Sequence, residues 1–182
     1  MNVLIITSSS DAIGAEYLDI ALSVSDVLAK QEFDLVYGGS SLSMMGACYN
    51  VFSKYNRKIY AYTTSKYQDQ FALLPNAKHY LEETTFDLKK DLFKNADIVV
   101  CLPGGLGTYS EVLAFLEEKK SNDKVTPIIL YNDYGFFNKL LDVFKELKDK
   151  KFTDKNISDY FIAVNNIEEF EKVISELRRI MK

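Results

Sequence analysis

The sequence predicts an α/β fold in which helices cover both faces of one parallel sheet. Short runs rich in β-branched residues alternate along the chain with longer segments whose apolar residues recur at helical spacing. A run such as Ile98 to Leu102 is apolar throughout, as expected of a strand that is covered on both faces. With 182 residues the chain is long enough for one well-buried domain and too short for two of ordinary size. We therefore expect residues 1–182 to form a single domain.

The first half of the chain is predicted to contain four strands and two helices. The strands are short runs bounded by polar or glycine-containing loops, and the helices are segments with apolar residues three or four positions apart. The polar stretch from Thr63 to Asn76 shows neither pattern and is predicted to be a loop. In chain order, the elements are a strand at Val3 to Ile6, a helix at Tyr17 to Leu28, a strand at Phe33 to Tyr37, a helix at Ala47 to Lys54, and strands at Lys58 to Tyr62 and Lys78 to Leu81.

The second half repeats the alternation of strand and helix. The apolar residues Val112, Leu113, Phe115 and Leu116 predict a helix whose pattern begins at Glu111. The terminal segment is the most clearly amphipathic one. In chain order, the elements are a helix at Asp87 to Lys94, the strand at Ile98 to Leu102, the Glu111 helix, a strand at Thr126 to Tyr131, a helix at Phe136 to Leu147, a strand at Phe161 to Val164 and a helix at Ile167 to Ile180.

Composition and charge exclude several classes of function. Apolar residues make up 47% and charged residues 26% of the chain, which argues against a disordered or fibrous protein. The net charge of −4 disfavours binding of a nucleic acid polymer. No segment resembles a secretion signal or a membrane span, so we expect a cytoplasmic protein that does not bind membranes. His79 is the single histidine and Cys48 and Cys101 lack metal-type spacing, so we expect no metal site and two buried, reduced thiols.

The segment from Pro103 to Glu111 carries the strongest functional signal. Gly104, Gly105 and Gly107 follow a buried strand and precede a helix, so a ligand can approach the main chain there. The first turn of a helix leaves N–H donors unpaired and carries about half a positive charge, which favours phosphate. Thr108 or Ser110 can cap this helix. The alternative interpretation is a tight turn followed by a carboxylate that only complements the helix dipole.

Two further loops follow strands in the same way. The loop Ser8-Ser9-Ser10 can bind a ligand through hydroxyl groups, or its serines can cap the next helix. Gly38 and Gly39 precede Met44 and Met45, thioethers that suit either a flat base or the core. No Gly-x-Gly-x-x-Gly motif is present, so a dinucleotide cofactor loses its main support and no cofactor is expected. Since parallel sheets bind ligands beyond the carboxyl ends of their strands, we expect one ligand between these loops.

The motifs Tyr37-Gly-Gly-Ser-x-x-x-Met-Met-Gly46 and Pro103-Gly-Gly-Leu-Gly-Thr-x-x-Glu111 together resemble the LOG (LONELY GUY) family, often described as possible lysine decarboxylases. The likeness extends along most of the chain to Phe152 and the terminal helix. It implies a Rossmann-like fold, a homodimer, and hydrolysis of the N-glycosidic bond of a nucleoside 5′-monophosphate to free base and ribose 5-phosphate. The expected partner is thus a small-molecule nucleotide, either a cytokinin riboside monophosphate or AMP.

The resemblance also implies roles for individual residues. Glu111 would face the ribose as the essential carboxylate, where it favours the positive charge of an oxocarbenium-like transition state. Lys89 or Lys90 would supply a cation, with Lys89 as our candidate for catalysis. The glycine loop would cradle the 5′-phosphate. The residues expected to bind the substrate are Ser8, Gly39, Met45, Gly104, Gly105, Leu106, Gly107 and Thr108.

The chain departs from the LOG pattern in two places. Members that hydrolyse usually carry an Arg-Lys pair on the helix before the central strand, and here the arginine position falls on Leu88 and the lysine on Lys89; a shift of one residue would put Lys89 in the arginine's place. Lysine keeps the charge of arginine without its planar fork, and leucine keeps neither. Ser43 stands where glycine is usual. The hypotheses are therefore a phosphoribohydrolase, a nucleotide-binding protein without turnover, or a relative that transfers the sugar to another base.

Overall fold

The structure is a computed structural model that describes residues 1–122, 126–153 and 155–181. Its centre is a sheet of seven parallel strands in the order β4-β3-β2-β1-β5-β6-β7. Each predicted strand is present, with ends that differ from the prediction by at most two residues. The strands are β1 (Asn2–Ile6), β2 (Asp34–Tyr37), β3 (Ile59–Thr64), β4 (Lys78–Glu82), β5 (Ile98–Cys101), β6 (Ile128–Tyr131) and β7 (Ile162–Val164).

Helices cover both faces of this sheet, which confirms the predicted fold class. Successive strand residues point to opposite faces, and the two cores divide accordingly. Val3 and Ile5 of β1 pack in one core, whereas Leu4 and Ile6 pack in the other. The first core includes residues of α1 (Ala15–Lys30), α2 (Ser43–Lys54) and α6 (Ile167–Ile180), and the second includes residues of α3 (Thr85–Lys94), α4 (Leu106–Asn122) and α5 (Asn138–Asp149).

This arrangement creates a switch point between β1 and β5. The two strands are neighbours in the sheet, yet the chain leaves β1 for α1 on one face and leaves β5 for α4 on the other. The loops beyond their carboxyl ends therefore diverge and leave a crevice, the usual ligand site of such sheets.

The predicted beginnings of two helices are wrong. α2 begins at Ser43 rather than Ala47, and α4 begins at Leu106 rather than at Glu111. Both first turns contain glycine or polar residues, so apolar periodicity does not reveal them. The stretch predicted as loop from Thr63 to Asn76 contains a 3-10 helix, Ser65–Leu73, which has no buried residue and hence no apolar pattern.

Two smaller findings concern the cysteines and the helices as a group. Cys48 and Cys101 are free, buried thiols, as predicted. Of the helices in the described part of the chain, none combines the length and apolar character that crossing a bilayer requires.

Candidate functional site

Three loops meet at the carboxyl ends of β1, β2 and β5. The buried hydroxyl of Thr7, directly after β1, donates a hydrogen bond of 3.1 Å to the carbonyl oxygen of Pro103, beyond β5. The backbone N–H of Met45, in α2, donates to the carbonyl oxygen of Ser8 at 3.1 Å. These bonds hold the loops together at the switch point of the sheet.

The glycines of the loop after β5 have different structural roles. A β-carbon at Gly104 would lie 2.1 Å from Oγ1 of Thr108 and 3.2 Å from the backbone nitrogen of Ser8, so a larger residue cannot be accommodated without displacing its neighbours. At Gly105 and Gly107, in contrast, a β-carbon would meet no atom within 4 Å. Gly104 is thus required by packing, whereas the other two leave open space beside the backbone.

The start of α4 is exposed to solvent. The backbone N–H of Tyr109 donates to the carbonyl oxygen of Gly105 at 3.1 Å, so Leu106, Gly107 and Thr108 already belong to the first helical turn. Residues 105–107 are exposed, and the first N–H groups of a helix have no partner within it. This turn therefore presents unpaired donors and the positive end of the helix dipole to an anion.

The sequence predicted that Thr108 or Ser110 could cap α4. Neither of them does so, because the helix begins before both residues. The Thr108 side chain is buried against Gly104. Only the backbone of Thr108 is therefore left to bind a ligand. The serine loop does not cap α1 either, since the residue before that helix is Gly14 and no side-chain hydrogen bond caps it.

A cavity of about 290 Å³ opens beside the glycine loop. Three of the predicted substrate-binding residues, Ser8, Gly104 and Gly105, line it. The aromatic rings of Tyr17 and Phe136 form part of its wall and meet edge to face, with 6.0 Å between their centroids. The other lining residues are Ser10, Ile13, Met44 and Pro103.

Sequence reasoning missed the aromatic wall of this cavity. Phe136 follows β6, so the rule that ligands bind beyond strand ends could have suggested it. Tyr17 fits the apolar pattern of α1 equally well and carries no separate signal. Met44 rather than Met45 lines the cavity, and its sulfur lies 3.2 Å from the hydroxyl oxygen of Thr7.

Gly39 and Met45 lie near the cavity without lining it. Gly39 has a φ of +65°, which favours glycine, and a β-carbon there would lie 3.0 Å from the carbonyl oxygen of Tyr62. The terminal methyl group of Met45 lies over Gly38, 3.2 Å from the position of a β-carbon. Both residues shape the loop after β2.

Glu111 faces α3 from the second turn of α4 and is half-buried. Burial raises the pKa of its carboxyl group to about 7, although the nearby positive charge of Lys89 lowers it. Glu111 also lies near the thiol of Cys101, at the end of β5. The pKa of this thiol is raised chiefly by burial and further by the Glu111 carboxylate. The free protein thus holds both protonation states of Glu111 near neutral pH.

Lys89 approaches Glu111 from α3. Its ammonium group donates a hydrogen bond of 2.6 Å to the hydroxyl of Ser110, the residue before Glu111. Its neighbour Lys90 is exposed. Of the two lysines proposed from the sequence, Lys89 is the one that lies beside the carboxylate.

A family model described as "Possible lysine decarboxylase" matches residues 45–174, well over half of the chain. The chain belongs to the LOG family. Curated relatives agree with this assignment. This chain is 28% identical over 163 residues to the probable cytokinin riboside 5′-monophosphate phosphoribohydrolase LOG4 of Oryza sativa subsp. japonica, and the match covers 86% of this chain and 68% of that protein. It is 23% identical to the phosphoribohydrolase LOG2 of Arabidopsis thaliana, covering 96% and 82%.

Solved structures share the fold of this LOG protein at low sequence identity. The molybdenum cofactor carrier protein of Chlamydomonas reinhardtii superposes with a TM-score of 0.73 at 13% identity, covering 97% of each chain. The molybdenum cofactor binding protein of Rippkaea orientalis gives 0.71 at 18% identity, covering 97% of this chain and 96% of that one. These likenesses establish the Rossmann-like architecture alone.

Leu88 and Lys89, the two residues at which the LOG family's arginine was expected from the sequence, have different environments in the structure. Leu88 is half-buried and packs against the core formed with α3, α4 and α5. It carries no charge. On this helix, Lys89 is the cation whose charge lowers the pKa of the Glu111 carboxyl group.

A larger cavity in the described part of this LOG protein lies away from the glycine loops. It measures about 510 Å³ and lies between the later turns of α4, α5 and the 3-10 helix Ile157–Tyr160. Its walls are mostly apolar, and none of the predicted site residues lines it. Size therefore does not decide the candidate site here, because the smaller cavity borders the exposed backbone of the glycine loop; Glu111 lines neither of these two cavities.

Proposed function

We propose that this protein hydrolyses the N-glycosidic bond of a nucleoside 5′-monophosphate, AMP or a cytokinin riboside monophosphate, to free base and ribose 5-phosphate. The observation that carries the proposal is the open first turn of α4 followed, one turn later, by the half-buried Glu111. The open turn is suited to a phosphate, and Glu111 is suited to the adjoining sugar. The names of the LOG relatives support the same reaction class.

In this proposal the phosphate binds to backbone N–H groups around Gly105 and Gly107. The helix dipole and the unpaired donors offset its charge. The space beside both glycines is open, since a β-carbon at either would meet no atom within 4 Å. The ribose then extends toward the side of α4 that carries Glu111.

Glu111 would act on the bond between C1′ and the base nitrogen. As that bond breaks, the base takes the electron pair and C1′ becomes positively charged, so a carboxylate beside it stabilises the transition state. Water then forms the new C1′–O bond and gives a proton to the Glu111 carboxylate, and the departing base takes up one proton to become the free base. A carboxyl group with a pKa of about 7 suits proton transfer near neutral pH.

Incubation with AMP and with isopentenyladenosine monophosphate tests the proposal, with free base measured by chromatography. We expect base release by the wild-type protein and a loss of at least about 100-fold in Glu111→Gln, because the variant lacks the charge and the basic oxygen. Glu117→Gln is the matched control, since Glu117 is an exposed carboxylate further along α4. Release no greater than that of Glu111→Gln would refute the hydrolase proposal.

Nucleotide binding without turnover is a second candidate. Two points favour it, namely that arginine stands at neither of the expected positions, Leu88 and Lys89, and that a carrier protein is among the structural neighbours. Under this candidate a mononucleotide raises the melting temperature by an amount that grows with its concentration and is recovered intact. Released base in the same samples would favour the enzyme instead.

We also propose that the protein forms a homodimer. Two apolar side chains beside the site are strongly exposed, Phe86 on α3 at 81% and Leu106 on α4 at 88%. They precede Lys89 and Ser110 by about one turn each, so they lie on the same side of the contact between the two helices. Exposed apolar residues of this kind mark protein interfaces.

A further inference from the structure

We propose that Ser110 is a positioning residue that fixes the ammonium group of Lys89 beside Glu111. This inference rests on the proposed hydrolysis, because it concerns how the carboxylate and the cation are arranged around the same substrate. Ser110 itself would touch neither the phosphate nor the sugar.

The geometry of the contact supports this role. The Nζ atom of Lys89 lies 2.6 Å from Oγ of Ser110, across the junction of α3 and α4, and both residues are half-buried. A lysine side chain has four rotatable carbons and loses considerable entropy when it is held in one place. A hydrogen bond from its charged end therefore determines where the positive charge lies.

The chemistry of the anchor matters as much as its position. A carboxylate partner would neutralise the charge of Lys89, whereas a serine hydroxyl accepts a hydrogen bond and remains uncharged. The ammonium group has three N–H donors, so two remain for other groups. Lys89 thus keeps its full charge available to Glu111 and to an anionic substrate.

The surroundings of Lys89 limit the alternatives to Ser110. The ring of Phe86 lies 5.9 Å from Nζ, on the same helix as Lys89. Among the described ion pairs none includes Lys89. The charged group that acts on Glu111 is Lys89 from α3, and Glu111 in turn raises the pKa of the buried Cys101 thiol on β5. Among the described hydrogen bonds, the one that Lys89 makes with its ammonium group goes to the Ser110 hydroxyl.

The test compares Ser110→Ala with Ser110→Thr, which keeps the hydroxyl. Ser121→Ala, an exposed serine near the end of α4, is the matched control. Alanine is a good helix former, so we expect each variant to fold.

The first readout is the pKa of Glu111 in the free protein, followed by NMR of its side-chain carboxyl carbon. We expect Ser110→Ala to raise this pKa by about half a unit or more, because the nearby positive charge becomes mobile, and Ser110→Thr to restore it.

The second readout is AMP hydrolysis. We expect kcat/KM to fall about tenfold in Ser110→Ala, mainly through kcat, and to remain near the wild-type value in Ser110→Thr. In a Lys89→Ala background the serine substitution should have no further effect, since both act through the same ammonium group.

The two readouts separate the failure of this inference from failure of the proposed function. A wild-type protein without base release refutes the hydrolase, while the NMR titration still decides whether Ser110 positions Lys89. An unchanged pKa of Glu111 in Ser110→Ala overturns the inference. The inference is also overturned if Ser110→Ala loses as much activity in the Lys89→Ala background as it does in the wild-type background, because Ser110 would then act by another route.

Discussion

At the scale of single residues, Glu111 experiences two opposing electrostatic influences. Burial raises its pKa from the ordinary value of 4.5 to about 7, and the attraction of Lys89 acts in the other direction. A bound phosphate would add a negative charge and disfavour the carboxylate further. A cation on α3 is then needed to keep part of the Glu111 population ionised, which gives the Lys89 contact a chemical purpose beyond packing.

The raised pKa of Glu111 also predicts how stability depends on pH. The folded protein holds the proton more tightly than the unfolded chain, so this group stabilises the fold least when it must be charged. Its contribution is most favourable below about pH 4.5 and is lost as the pH rises toward about 7. Glu111→Gln removes this dependence and keeps the shape of the side chain.

We therefore expect the free energy of unfolding of Glu111→Gln, relative to wild type, to rise by about 2 kcal/mol between pH 5 and pH 8. Urea denaturation at both values measures it. The exposed Glu117→Gln variant should keep the wild-type difference. A constant gap between Glu111→Gln and wild type would contradict the burial that raises this pKa.

At the scale of elements, the strands were easier to predict than the helix starts. β5 is apolar throughout because both of its faces are covered, so its sequence predicts its ends to within one residue. The first turns of α2 and α4 depend instead on loop contacts, such as the fit of Gly104 against Thr108. No pattern in the sequence encodes such contacts. The same holds for the approach of Lys89 on α3 to Ser110 on α4.

The start of α2 combines close packing with backbone strain. A β-carbon at Gly46 would lie 2.1 Å from the carbonyl oxygen of Ser41, so this turn is closely packed. Ser43 has a φ of +49°, in the left-handed region that favours glycine. Its buried hydroxyl has no hydrogen-bond partner among the described residues. The LOG pattern usually has glycine here, which agrees with this backbone conformation.

Ser43→Gly should therefore increase the free energy of unfolding by about 1 kcal/mol, since the relief of strain outweighs the greater freedom of the unfolded chain. Chemical denaturation measures the change. Ala47→Gly in the same helix is the matched control and should decrease stability by a similar amount, because it has no left-handed strain to relieve. If both glycine variants lose stability, the strain at Ser43 is too small to matter.

At the scale of the whole molecule, the order of strands brings distant segments into one site. Ser8, Met44 and Gly104 follow three different strands and line one cavity, because β1 lies between β2 and β5 in the sheet. The strand pattern and the carboxyl-end rule were enough to predict this convergence. The aromatic wall of Tyr17 and Phe136 was not predicted, because it depends on how α1 packs against the loop after β6.

The proposed homodimer makes the last prediction at this scale. Leu113 lies two turns after Leu106 on the same side of α4 and is 47% exposed, which extends the apolar surface that Phe86 begins on α3. A stable interface needs a continuous apolar centre, and a single charge placed there remains unpaired in both subunits of a symmetric dimer. We expect the wild-type protein to have the mass of a dimer in light scattering after size-exclusion chromatography, and Leu113→Glu to have that of a monomer.

Leu22→Glu, at a leucine of α1 that is 44% exposed, should remain dimeric, because α1 packs on the opposite face of the sheet from α4. A wild-type monomer, or a Leu113→Glu dimer as stable as the wild type, would assign the exposed leucines of α4 another role.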